Sequence, residues 1–140
     1  MADLKRTVLY LSRGYRKGKI LKLAFLSDVL YHERGEGFGV EWWYGKYGPF
    51  SSEVLSMIDH LLQSGALEFS IEIDEDDPHY KYVTRLYARS PPCHRDEVLD
   101  YVLERYGGMS YRELVEYTKS LLRGYEYGST IDPSTVRIGV

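Results

Sequence analysis

Apolar residues recur at helical spacing in five stretches of the chain and favour extended structure in three others. Leu4, Val8 and Leu11 share one face of a helix predicted over 3–12, with Asp3 as its N-cap. Ile20, Leu23, Ala24, Ser27, Leu30 and Tyr31 form the stripe of a second helix over 19–33. Phe25, Leu26 and Val29 widen that stripe until little polar surface is left, which marks the central core helix. Gly35, Gly37 and Gly39 end it. Trp42, Trp43, Tyr44 and Tyr47 then read as an aromatic strand broken by Gly48-Pro49. Ser51 or Ser52 caps a third helix over 51–64, with Glu53 in its first turn, Val54, Leu55, Ile58, Leu61 and Leu62 inward, and Gly65 at its C-terminal end.

From Leu67 to Ile73 apolar and polar residues alternate, the pattern of a half-buried strand. Asp74–His79 is an acidic turn, and Tyr80–Tyr87 is a return strand rich in β-formers. Ser90-Pro91-Pro92 marks a boundary. A helix over 94–106 follows, with Val98, Leu99, Val102, Leu103 and Tyr106 inward, and Gly107-Gly108 stops it. Ser110 and Glu113 fit a capping box that starts a last helix running to about Arg123, with Leu114, Thr118, Leu121 and Leu122 inward. The tail 125–140 has no clear period and is expected to be loosely ordered or to pair with a partner.

These elements predict one α+β domain over 1–140: a winged helix-turn-helix core at 1–89, a C-terminal helical hairpin at 90–124, and the tail. In that arrangement the 51–64 helix takes the recognition position and the 67–87 hairpin is the wing.

Composition adds three points. At 140 residues and 44% hydrophobic, the chain suits one globular core, and no apolar run is long enough to span a membrane. Cys93 is the only cysteine, which excludes an internal disulfide and a cysteine-rich zinc site and suits a cytoplasmic protein without an evident signal peptide. Asn is absent and Gln63 is the only Gln, a thermophile-like depletion.

Charge is unevenly placed. Residues 1–22 hold seven cations against Asp3 alone, a balance of +6, so the rest of a chain of net charge −3 carries −9. Arg13, Arg16, Lys17, Lys19 and Lys22 cluster around the start of the second helix, where cations and free N–H groups attract phosphate. Tyr15 among them can stack on a base. With Lys46, Ser51 and Ser52 they make a candidate surface for double-stranded DNA, most readily in a homodimer. Against this, the outward residues of the 51–64 helix (Ser51, Ser52, Glu53, Ser56, Asp59, His60, Gln63) include no Arg or Lys. Trp42, Trp43 and Tyr44 offer an aromatic face suited to a protein interface.

The helix segment Lys22-Leu23-Ala24-Phe25-Leu26-Ser27-Asp28, followed by Tyr44-Gly45-Lys46-Tyr47-Gly48-Pro49-Phe50-Ser51, resembles two related groups. One is the Panacea (SocA-like antitoxin) domain; the other is the YwgA-like group of winged-helix proteins. The resemblance spans roughly residues 20–70. The first implies a toxin-neutralising or adaptor role, and the second a winged-helix protein. Neither implies catalysis or a cofactor.

No P-loop, Gly-x-Gly-x-x-Gly junction or His-Glu-x-x-His occurs, and Asp74–Asp77 lacks the register of a calcium loop. His32, His60, His79 and His94 have no zinc spacing, and Cys93-His94 has no orienting third group. The sequence therefore predicts a non-enzymatic protein without metal or cofactor. DNA binding is the first expectation. A module holding a basic protein partner through the 51–64 helix and the acidic wing is the alternative, and a metal-dependent enzyme built on the acidic tip comes last.

Overall fold

The apolar run in the second predicted helix folds into a helix buried on nearly every side, and the other elements pack around it. The computed structural model describes residues 1–74, 79 and 82–138. In chain order the elements are α1 (Leu4–Leu11), β1 (Arg13–Tyr15), α2 (Lys17–Glu33), β2 (Trp42–Gly45), β3 (Gly48–Phe50), α3 (Ser52–Gln63), β4 (Leu67–Glu72), β5 (Val83–Ala88), α4 (Glu97–Tyr106), α5 (Tyr111–Ser120) and β6 (Thr130–Ile131). A single 3₁₀ turn follows at Pro133–Thr135. The fold is α+β, with two antiparallel three-stranded sheets of order β1-β5-β4 and β3-β2-β6.

The helix ends fall where local chemistry puts them. Asp3 caps α1 by accepting from the Arg6 N–H, and Ser51 caps α3 by accepting from the Val54 N–H. Ser110 and Glu113 close a reciprocal capping box on α5. Gly65 takes φ +82 just past α3, a conformation open to glycine but costly for a residue with a Cβ. Asp96 does more than cap α4. Its carboxylate also accepts from Arg6 at 2.8 Å and from Tyr31 at 2.6 Å, so one side chain clips α1, α2 and α4 together.

The structure departs from the sequence reading in four places. Arg13–Tyr15 is a strand rather than a turn, because β5 offers it a ladder: Arg13 lies opposite Tyr87, and Tyr15 opposite Leu86. Gly48-Pro49 does not end an aromatic strand. It belongs to β3, which folds back on β2 with Pro49 opposite Tyr44. β3 is an edge strand, where a proline lacking an N–H is tolerated. The tail is not loose. Thr130–Ile131 pairs with β2, and Ile131, Val136 and Ile138 are buried in the core. Their irregular spacing follows no single period, which is why the sequence pattern misses them.

The fourth departure concerns β4. Alternation places Leu67, Phe69, Ile71 and Ile73 on one inward face, but only Leu67 is buried. Cross-strand partners share a face, and Leu86, opposite Phe69 on the central strand, is still buried. Cover therefore stops at β5, and the outer strand carries its apolar row uncovered. Within the acidic turn, Glu75–Asp77 lie outside the described residues, as do Tyr80, Lys81, Gly139 and Val140.

Replacing Ser51 by Ala is expected to cost about 1 kcal/mol of stability, because its hydroxyl is a buried cap acceptor. Ser52→Ala, one residue on and exposed, should leave the urea midpoint unchanged. Equal midpoints for the two variants would show that the cap contributes nothing.

Candidate protein interface

The cations at the start of α2 have partners within the protein, and Lys22 is buried outright. Lys22 is 2% exposed and donates to the Pro49 carbonyl at 3.0 Å. Burial, and then the nearby Lys119 charge, lower its pKa from 10.5 to about 8. It is not available to a phosphate, and its place in the expected DNA surface is corrected accordingly. Lys17 pairs with Asp59 of α3 at 2.7 Å. Lys19 donates to the Gly107 carbonyl and sits 4.1 Å from the centre of the Tyr15 ring. Arg16 reaches Asp74 at 3.5 Å and lies over the Tyr111 ring. Arg13 donates to the Tyr10 carbonyl and lies over the Tyr10 ring. Lys46 is exposed at the β2–β3 turn, beside Tyr47.

Two further expected surface residues are interior. Ser51 is fully buried as the α3 cap, so Ser52 alone of the pair faces outward. Trp42 is also fully buried. Its ring packs edge-on against Phe25 at 5.1 Å, and its indole N–H donates to Asp28 at 2.7 Å. It holds the core and not an interface, because a Trp whose N–H finds a buried carboxylate loses nothing by going inside. Trp43 and Tyr44 remain half-buried, with Tyr44 leaning on Tyr127.

Asp28 is the buried acid that the sequence reading passed over. It is 0% exposed, accepts from the Phe38 N–H at 2.8 Å and from Trp42, and lies 3.5 Å from His32 Nε2. Burial raises its pKa, and the bonds from Phe38 and Trp42 offset part of that rise. The available signal was an acid inside an otherwise apolar helical run.

The exposed face of α3 carries Ser52, Glu53, Ser56, Asp59, His60 and Gln63, as the spacing predicted, and no Arg or Lys. Asp74, the described residue of the acidic turn besides His79, is buried against Arg16 rather than displayed. Among the described residues no three His, Cys, Asp or Glu side chains gather into a group able to hold a metal. No helix among them is long and apolar enough to cross a membrane.

What stands out is β4. Phe69, Ile71 and Ile73 are 62%, 64% and 69% exposed in a row, and Tyr82 beyond the strand is 68% exposed. Single exposed apolar residues are ordinary, but two on one strand face with a third just past the strand end are not. β4 is the outer strand of its sheet, and among the described residues no strand pairs with its other edge. On its opposite face Glu68 and Glu72 flank Ser70. Glu72 accepts from Ser70 and Tyr87, which, with Arg85 nearby, lowers its pKa. Such an edge, without a lysine or proline to blunt it, is suited to recruiting another chain. No protein-family model, curated protein or solved structure matches this chain.

Proposed function

We propose that the chain is a non-enzymatic, cytoplasmic protein-interaction module built on a winged-helix frame, with β4 as its binding surface. The observation that carries this reading is the uncovered pair Phe69 and Ile71 on an outer strand, with exposed Ile73 just past its end. The frame is supported by element order: α3 leads directly into the β4–β5 hairpin, and β1 completes a sheet of order β1-β5-β4. The adaptor role implied by the resemblance at 20–70 agrees with it. Comparing proteins retained from a cell lysate by wild type and by Phe69→Ser/Ile71→Ser tests the module. Proteins held by the wild type and lost from the variant are expected; identical sets would remove β4 from the reading.

Binding of double-stranded DNA, in a homodimer, is a second reading. It is favoured by the position of α3 in the frame, ahead of the hairpin. The acids on α3 and the internal pairing of Lys17 and Arg16 weaken it. Random duplex DNA titrated across a salt series is expected to bind no tighter than about 10⁻⁴ M near physiological salt, the weak end of non-specific affinity. Micromolar binding that falls steeply with salt would reverse the order of the two readings.

A further inference from the structure

We infer that the outer edge of β4 accepts an extended segment of a partner protein as a fourth strand, a segment in which Lys or Arg alternates with aliphatic residues. The inference rests on the module reading above and specifies its partner. An added strand continues the pleat of the sheet, so its side chains alternate between the two faces of β4. On one face they meet Phe69 and Ile71, with exposed Ile73 just past the strand end. On the other they meet Glu68, Ser70 and Glu72. The exposed pairs of Glu68 with Arg89 at 3.9 Å and of Glu72 with Arg85 at 3.7 Å are long, and both carboxylates can exchange them for a closer cation.

The same charges disfavour a second copy of this chain. Antiparallel pairing of β4 with itself about a two-fold axis sets Phe69, Ile71 and Ile73 all opposite apolar residues in only two registers. One places Phe69 opposite the other copy's Ile71, and then Glu68 faces Glu72 twice. The other places Ile71 opposite Ile71, with Glu72 opposite Ser70 and Glu68 opposite Asp74, which is buried against Arg16, so neither glutamate gains a cation. Like charges directly opposite one another across a ladder are destabilising. A basic alternating strand gains on both faces, where a second copy loses or gains nothing on one.

The test uses the full-length, isotope-labelled chain and two amidated octapeptides, one alternating Lys with Val and one alternating Glu with Val. Backbone amide shifts confined to residues 67–73 and their β5 partners are expected with the Lys peptide, weakening as salt is raised. Glu68→Lys/Glu72→Lys should lower affinity for the Lys peptide by about tenfold and bring the Glu peptide onto the same amides. The unchanged spectrum of the rest of the variant reports that it folds. No shift at millimolar peptide, shifts elsewhere, or equal response to both peptides on wild type would overturn the inference. Concentration-dependent β4 shifts without peptide would also overturn it, in favour of a second copy. If Phe69→Ser/Ile71→Ser still loses lysate proteins while the Lys peptide fails to bind, strand addition falls and the module stands. If neither responds, both fall.

Discussion

Asp28→Ala is expected to lower the free energy of unfolding by about 4 kcal/mol. The carboxylate is fully buried and receives the Phe38 N–H and the Trp42 indole N–H. Removing it strands two buried donors, each costing about 1–3 kcal/mol, and leaves a void beside Trp42. The consequence spreads because these donors belong to the segment leaving α2. Asp28 ties that segment back onto the helix, and Trp42 then fixes β2 against Phe25. Asp28→Asn keeps the volume and one acceptor oxygen but turns an NH₂ toward the second donor, so a loss of about half that size is expected. Urea unfolding followed by tryptophan fluorescence measures both. If the two variants stay within about 1 kcal/mol of wild type, the carboxylate is not the tie described.

The second large effect is a rise in stability with pH, caused by Lys22. Its pKa of about 8 in the folded protein lies below its ordinary 10.5, chiefly because burial penalises the charged form. Below pH 8 the amine is protonated folded and unfolded alike, and the folded state carries the full cost of burying the charge. As pH rises through 8 the folded amine loses its proton while the unfolded one keeps it, so stability climbs until the unfolded amine titrates as well. The gain between pH 8 and 10 is roughly 2 kcal/mol. Tyr31 and Tyr106 act the other way at higher pH. Burial and their hydrogen bonds, to Asp96 and Tyr117 respectively, raise both above the usual phenol range, so stability falls once unfolded tyrosines ionise. A stability maximum near pH 10 is therefore expected for wild type. In Lys22→Met, where the buried charge is replaced by a side chain of similar length, the climb from pH 8 should vanish. A climb of the same size in that variant would assign it to another group.

Both residues show where sequence reading succeeds and where it stops. The 20–31 stripe correctly gives a buried central helix, but it assigns Lys22 to the cationic surface by charge alone. The signal for the opposite conclusion was its setting between Leu21 and Leu23 in a helix with almost no polar side. Helix ends were legible because caps are local: Asp3, Ser51, Gly65 and Ser110 act on residues three or four places away. β1 was not legible, since three residues with two tall side chains and a charge become a strand only when Leu86 and Tyr87 lie alongside. The apolar row on β4 was legible as alternation. Its exposure was not, because nothing in residues 67–73 says that cover ends at the neighbouring strand.

The pairing of β2 with β6 also sets a timetable for synthesis. β2 and β3 can close on each other as soon as Phe50 is free, but the third strand, Thr130–Ile131, is made about 80 residues later. At ordinary translation speeds the interval is on the order of ten seconds. Throughout it a nascent chain offers a bare ladder edge at Trp42 and Trp43. A chain cut just before Thr130 would keep the five described helices and leave that edge of β2 unpaired.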